Sequence, residues 1–140
     1  MNYVGVDIIE IARIEQAIAQ WGEHFLHRVY TEPELRLYRK YPSSLAARFA
    51  AKEAVIKVLG NRGIASKEIE VLTEPNGKPV VHLYGKAQNE ANMLGLNNLA
   101  ISISHSREYA IALAIGETKK RYLLTLDTPS AKIKNKVLII

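Results

Sequence analysis

The chain has 140 residues, of which 48% are hydrophobic and 24% charged, a balance that indicates one soluble globular domain and excludes a disordered or fibrous chain. The absence of cysteine excludes disulfides, thiolate metal sites and cysteine nucleophiles, and it favours the cytoplasm. Asp7 and Glu10 lie where a signal peptide would need a basic stretch followed by an apolar run, and no apolar span of 18 residues occurs. We therefore expect neither secretion nor membrane insertion.

The first predicted elements are a strand and an amphipathic helix. Residues 3–9 have a strand pattern in which Gly5 allows close backbone approach. Isoleucines and a tryptophan then recur at spacings of three and four, which predicts a helix over about residues 11–20. Asp7 is an acid in an otherwise apolar strand, where burial without a partner is costly. It is either a cap of the next helix or a ligand, and the pattern leaves both open.

Two further helices are predicted in the middle of the chain. Residues 31–34, Thr-Glu-Pro-Glu, have the form of a capping box, so a helix should begin there and end by Pro42. Ser43 or Ser44 should then cap an alanine-rich helix that ends at Gly60, a residue suited to the left-handed conformation.

The second half of the chain has mostly strand patterns. Two strands joined by a turn at 75–79 predict a hairpin. A short helix and two alternating strands follow. One face of the last strand contains only alanine, so that a helix of the same chain or a neighbouring subunit can approach closely. The predicted elements cover residues 68–74, 80–85, 86–94, 101–104 and 109–115.

The alanine-rich helix carries a candidate catalytic group. Glu53, Lys57 and Gly60 are spaced so that they share one helix face. The simplest interpretation is an exposed Glu–Lys pair worth about 0.3–0.5 kcal/mol. If Asp7 approached Glu53, however, the two carboxylates would form an oxygen site suited to Mg²⁺. Lys57 would then place its charge beside a bound phosphate.

Two other segments are candidates for binding an anion. The sequence 104–106, Ser-His-Ser, stands at the end of a predicted strand and offers hydroxyls, an imidazole and backbone N–H groups. The alternative is an ordinary surface histidine. The segment 76–79, Asn-Gly-Lys-Pro, is most simply explained as a hairpin turn.

Taken together, these motifs resemble the holo-acyl-carrier-protein synthase family in order, spacing and position over about residues 3–115. The resemblance implies an α+β fold of small antiparallel sheets packed with helices, assembled as a homotrimer with shared active sites. It implies transfer of 4′-phosphopantetheine from coenzyme A to a serine of acyl carrier protein, in support of fatty acid biosynthesis. The matching strings are GVDIIEIARIE at 5–15, RFAAKEAVIKVLG at 48–60, NGKP at 76–79 and SISHSREYAIALA at 102–114.

The same resemblance implies roles for individual residues. Asp7 and Glu53 would hold Mg²⁺, and Lys57 and His105 would complete the catalytic group. The acceptor of the serine proton stays open between Glu53, a water near Asp7, and His105. Arg13 would dock the acidic carrier protein, and we add Arg28 as a second docking residue because of its proximity. The residues implied in coenzyme A binding are Arg48, Lys57, Gly60, Asn76, Gly77, Lys78, Pro79, His105 and Ser106.

The chain departs from the family at its C-terminus, because compact members end soon after the last alternating strand. We therefore divide it into a transferase domain at 1–116 and an extension of unassigned role at 117–140. The extension contains two strand-like runs, at 121–127 and 136–140.

Two alternatives follow from the formal net charge of +5, which attracts polyanions. A metal-dependent nuclease could use the same two acids, but the Glu-x-Lys spacing is missing. A basic nucleic-acid-binding module would need a recognition helix or exposed aromatic platforms. The sequence therefore favours an enzyme that binds neither nucleic acid nor membrane.

Overall fold

The computed structural model describes residues 1–118 and the backbone of 136–137. These residues form five α-helices, a short 3-10 helix at Ser66–Glu68 and six strands. The strands are β1 Asn2–Glu10, β2 Ile69–Thr73, β3 Pro79–Leu83, β4 Leu96–His105, β5 Tyr109–Thr118 and β6 Lys136–Val137. The helices are α1 Ile11–Trp21, α2 Glu23–Val29, α3 Glu32–Tyr38, α4 Pro42–Leu59 and α5 Gly85–Leu94.

The strands form two small sheets. The larger has the order β4-β5-β1-β6, in which β4, β5 and β1 are antiparallel and β6 runs parallel to β1. Strands β2 and β3 form the predicted hairpin as a separate sheet. The α+β prediction is therefore confirmed. The strand-like run at 121–127 lies outside the described residues, and of the run at 136–140 only the two β6 residues are described.

Helix α4 packs across β1 and β5 and forms the centre of the core. The alanine side chains of β5 lie beneath it, with Ala110, Ala112 and Ala114 at most 1% exposed. The layer that approaches this alanine face is thus a helix of the same chain. The prediction for Gly5 is also confirmed, because a Cβ there would lie inside contact distance of the Ala54 carbonyl oxygen.

The other side of the same sheet is apolar and exposed. We call it the outer face; its large side chains are 39–61% exposed, and they come from β1 and β5. An exposed apolar surface of this kind is a candidate interaction surface. The residues are Val6, Ile8, Tyr109, Ile111 and Leu113.

A buried ion pair fixes α4 against α3 and the hairpin. Lys52 Nζ donates to Glu34 Oε1 at 2.8 Å, with both side chains at most 1% exposed. Lys52 also donates to the carbonyl of Ser66 at 3.1 Å, and Glu34 Oε2 accepts from the Val71 N–H at 2.8 Å. Burial lowers the pKa of Lys52, and the Glu34 charge opposes that change.

The ends of the helices test the predicted caps. The Thr31 capping box is present in full, and α4 ends at Gly60 with a φ of 73°. The predicted serine cap of α4 is wrong, because Pro42 takes the first helical position and makes Tyr41 the N-cap residue. Helix α2 was not predicted. No helix in the described part of the chain is long and apolar enough to cross a membrane.

Candidate active site

Asp7 lies on the face of β1 that packs on α4. Its register partner is Ala112, one of the buried alanines. Lys57 reaches it from α4, donating to Asp7 Oδ1 at 3.3 Å and to the Val6 carbonyl at 2.6 Å. Burial raises the pKa of Asp7, and the hydrogen bond and charge of Lys57 oppose that increase. Asp7 is therefore a partly buried strand residue facing a helix, and it does not cap α1, whose N-cap is Glu10.

Glu53 lies one helical turn before Lys57 and is half-buried. Burial raises the pKa of Glu53, and the negative charge of Asp7 raises it further. The charge of Lys57 acts in the opposite direction. Asp7 is thus close enough to oppose the ionisation of Glu53, although 46 positions separate the two residues in the chain. Such a pair gains from any cation that binds between them.

The donor set suits a hard divalent cation. Within residues 1–118, no three acidic or histidine side chains are grouped as a metal site. Magnesium commonly binds only one or two carboxylates and completes its octahedron with water and phosphate oxygens. Two carboxylates with an adjacent ammonium group therefore fit Mg²⁺ together with a phosphorylated substrate.

Arg62 is a cation near this group that the motifs did not indicate. It is exposed, two residues beyond the left-handed Gly60, and its charge lowers the pKa of Glu53 against the larger effect of burial. The Asn61 side chain holds this loop, since it accepts from the Gly63 N–H and donates to Glu90, both at 2.8 Å. A cation two residues after a helix-ending glycine was the available sequence signal.

Arg48 lies on the opposite side of α4, beside the hairpin. It is 7% exposed, and its Nη2 donates to Thr73 Oγ1 at 2.7 Å. Thr73 pairs in register with Pro79, which follows the turn containing Asn76. Arg48 and the 76–79 turn therefore occupy one end of the hairpin, separate from Asp7 and Glu53.

The turn itself has the geometry that its residues dictate. Gly77 has a φ of 87°, and the Asn76 side chain accepts from the Lys78 N–H at 3.0 Å. The Glu74 N–H closes the turn on the Lys78 carbonyl at 2.8 Å. A simple hairpin turn explains these hydrogen bonds. The exposed side chain of Lys78 takes no part in them.

His105 and Ser106 are exposed at the end of β4. His105 is two strands away from Asp7 and two positions further along, a Cα separation of about 12 Å. The Ser106 hydroxyl accepts from the backbone N–H groups of Glu108 and Tyr109 at 3.3 and 3.1 Å, so it shapes the turn. Within a single chain, His105 and Ser106 therefore lie apart from Asp7 and Glu53.

Two exposed arginines lie on the first two helices. Arg13 is on α1, and Arg28 borders a shallow groove of about 500 Å³ that Glu23, His24 and His27 also line. The His27 ring contacts Glu23 and Glu32 at 2.9 and 3.1 Å. Both arginine side chains remain accessible to an acidic partner.

Comparison with known proteins identifies the family of the chain. Residues 3–125 match the model of the 4′-phosphopantetheinyl transferase superfamily. The chain belongs to this superfamily. A holo-[acyl-carrier-protein] synthase of Dehalococcoides mccartyi strain CBDB1 is 56% identical to the transferase over 118 residues, which are 84% of this chain and 99% of the relative.

Solved structures resemble the transferase over the same region. Helicobacter pylori holo-[acyl-carrier-protein] synthase in complex with coenzyme A has a TM-score of 0.74 at 30% identity, covering 81% of this chain and 99% of that one. The Bacillus anthracis synthase in complex with coenzyme A (3′,5′-ADP) has a TM-score of 0.67 at 31% identity, covering 83% and 96%. The division at residue 116 stays a prediction; β5 itself continues to Thr118.

Proposed function

We propose that the chain transfers the 4′-phosphopantetheine group of coenzyme A to a serine of apo acyl carrier protein, a reaction that supports fatty acid biosynthesis. The observation that carries this proposal is the convergence of Asp7, Glu53 and Lys57 between β1 and α4. Family membership supports it, as do relatives with bound coenzyme A.

Asp7 and Glu53 are the residues that would hold Mg²⁺. Burial raises the pKa of both carboxyl groups despite the opposing charge of Lys57, so an additional cation would stabilise their ionised forms, which supports this assignment. When bound, the ion supplies charge neutralisation at a pyrophosphate. Lys57, held by the Val6 carbonyl, would donate to the leaving phosphate as a point charge.

In the reaction, the serine oxygen forms a bond to the β-phosphorus of coenzyme A, and the bond to the bridging oxygen breaks. The products are holo carrier protein and 3′,5′-ADP, and the serine proton must leave. Glu53 is one acceptor that we propose for this proton. A water near Asp7 and the imidazole of His105 are the other acceptors that we proposed from the sequence.

Coenzyme A binding would use two regions of the surface. Arg48 and the segment from Asn76 to Pro79 form one, and Lys57 with Gly60 forms the other. The exposure of His105 and Ser106 supports a role in a site completed by a neighbouring chain. The outer face, rich in exposed apolar side chains, supports assembly as a homotrimer.

The carrier protein would dock on the helical side of the molecule. Arg13 and Arg28 are exposed cations there, and an acidic carrier helix is complementary to them. A cytoplasmic location, which the absence of cysteine favours, stays a prediction from the sequence.

Mass spectrometry of the carrier protein tests the proposal. With apo carrier, coenzyme A and Mg²⁺, the wild type should add about 340 Da to the carrier, the mass of the arm bound as a phosphate ester. Glu53→Gln should abolish this gain while the fold is retained, and Glu117→Gln on β5 is the control. Full activity of Glu53→Gln at saturating Mg²⁺ would contradict the metal site. If the protein shifted the electrophoretic mobility of random DNA and coenzyme A left the melting temperature of the protein unchanged, the nucleic-acid alternative would be favoured.

A further inference from the structure

Lys57 is held beside the two carboxylates by the fold itself. Its Nζ donates to the Val6 carbonyl at 2.6 Å and to Asp7 Oδ1 at 3.3 Å, and its side chain is 9% exposed. The base of the side chain lies over Gly5, where an added Cβ would be 3.1 Å from the Lys57 Cβ. A surface lysine can turn its flexible stem away from a neighbour, but this ammonium group cannot, so its charge is a fixed part of the site.

The stronger of the two hydrogen bonds of Lys57 is the one to the backbone. The contact with Asp7, at 3.3 Å, is longer than the about 2.7–2.9 Å of a strong charge-assisted bond. An ammonium group carries three hydrogens, and these two bonds use two of them. A cation that ligates Asp7 leaves the bond to the Val6 carbonyl intact. Lys57 therefore stays in place beside a cation that binds there.

This fixed charge opposes a metal ion on the same carboxylates. The charge of Lys57 counteracts the raised pKa of both Asp7 and Glu53, so it acts on each of them. A positive charge within about 4–6 Å of a carboxylate weakens its binding of a proton by about 10- to 1,000-fold. A divalent ion at a similar distance carries twice the charge of a proton, so the same field opposes it at least as strongly.

We propose that Lys57 lowers the affinity of Asp7 and Glu53 for Mg²⁺, so that the site retains the ion only together with the phosphate oxygens of the coenzyme. The inference rests on the proposed function, in which Lys57 and the ion meet the same pyrophosphate. The negative charge of that pyrophosphate offsets Lys57, and its oxygens complete the octahedron that two carboxylates leave open. Lys57 is thus a determinant of metal affinity as well as a contact of the leaving phosphate.

Titration with Mn²⁺ tests this proposal without coenzyme A and without an activity assay. Mn²⁺ takes the same oxygen ligands as Mg²⁺, and electron paramagnetic resonance measures its free concentration. Lys57→Gln removes the charge but keeps an N–H group that can donate to the Val6 carbonyl. At mildly alkaline pH, where carboxyl groups are ionised, this variant should bind Mn²⁺ about tenfold more tightly than the wild type.

Three further variants separate the charge of Lys57 from other effects. Lys57→Arg retains the charge and should keep the wild-type affinity for Mn²⁺. Lys67→Met, on the exposed 3-10 helix, lowers the net charge equally and is the matched control, which should also keep it. The double variant Glu53→Gln, Lys57→Gln removes one ligand and should lose the tighter binding. Circular dichroism should show the wild-type fold in every variant.

Equal or weaker Mn²⁺ binding by folded Lys57→Gln would overturn the role of Lys57. The same tightening in Lys67→Met would also overturn it, because the effect would then come from net charge alone. Failure of the wild type to modify a carrier protein at saturating Mg²⁺ would instead refute the proposed function, and the titration without coenzyme A would still test Lys57.

Discussion

Gly5→Ala should disable the enzyme by pushing α4 away from β1. An added Cβ would lie 3.0 Å from the Ala54 carbonyl carbon, 3.1 Å from the Lys57 Cβ and closer still to the Ala54 oxygen. Since carbon–oxygen contacts are normally at least about 3.3 Å, α4 must move by about 1 Å. Backbone atoms make the main contact, so no side-chain rotation relieves it.

The shift should reduce both stability and activity. Overpacking of this kind costs about 1–3 kcal/mol, which urea unfolding measures. The same movement separates Lys57 from the Val6 carbonyl and Glu53 from Asp7, and a misplacement of about 1 Å can cost about 100-fold in rate. We therefore expect kcat/KM to fall about 100-fold in Gly5→Ala, assayed well below its melting temperature.

The matched control is Gly116→Ala on β5. Its Cβ would meet the side chains of Val58 and Leu96 at 2.9 and 3.0 Å, and side chains can rotate away. This variant should lose stability but keep kcat/KM within about threefold of the wild type. If folded Gly5→Ala retained wild-type kcat/KM, the close approach of α4 to β1 would not set the catalytic geometry.

Three further predictions concern pH, the buried ion pair and the outer face. Burial raises the pKa of Glu53 above its ordinary 4.5. The folded metal-free protein therefore loses stability as the pH rises from 4.5 through this raised pKa. Glu53→Gln should then melt above the wild type at pH 7 in EDTA but close to it at pH 4, and a constant difference would contradict this. Lys52→Met leaves a buried carboxylate unpaired and should cost about 3–5 kcal/mol by urea unfolding, while the exposed control Lys67→Met should cost almost nothing. Ile111→Glu should shift the molar mass by light scattering to that of a monomer, whereas Leu37→Glu on α3 should not; a trimeric Ile111→Glu would exclude the outer face as the interface.

Local signals in the sequence predicted much of the fold. The Thr31 capping box, the left-handed Gly60 and the close approach at Gly5 each depend on a few neighbouring residues, so their patterns are specific. Helix α2 escaped prediction because it has seven residues and no side-chain cap, and its burial through Leu26 and Val29 depends on tertiary packing.

The motifs predicted only part of the candidate site. The strand and helix patterns marked Asp7, Glu53 and Lys57 as candidates, the resemblance implied their roles, and α4 packs on β1 so that Lys57 contacts Asp7. The bond between Tyr38 and Thr73 spans 35 positions and joins two elements that no pattern links, so sequence reasoning missed it. The alanine face of β5 left open whether a helix of the same chain or a neighbouring subunit packs on it, because small side chains permit close approach by either.

Helix α4 presents Lys57 to one side and Arg48 to the other, about 13 Å apart along its axis. In the homotrimer that we propose, a coenzyme A molecule bound across a boundary between chains would meet the Lys57 side of one chain and the Arg48 side of the next. The specific activity should then decrease on dilution, as chains separate and every site is divided. Mixing two inactive variants, one altered at Glu53 and the other at Arg48, should regenerate a fraction of intact sites.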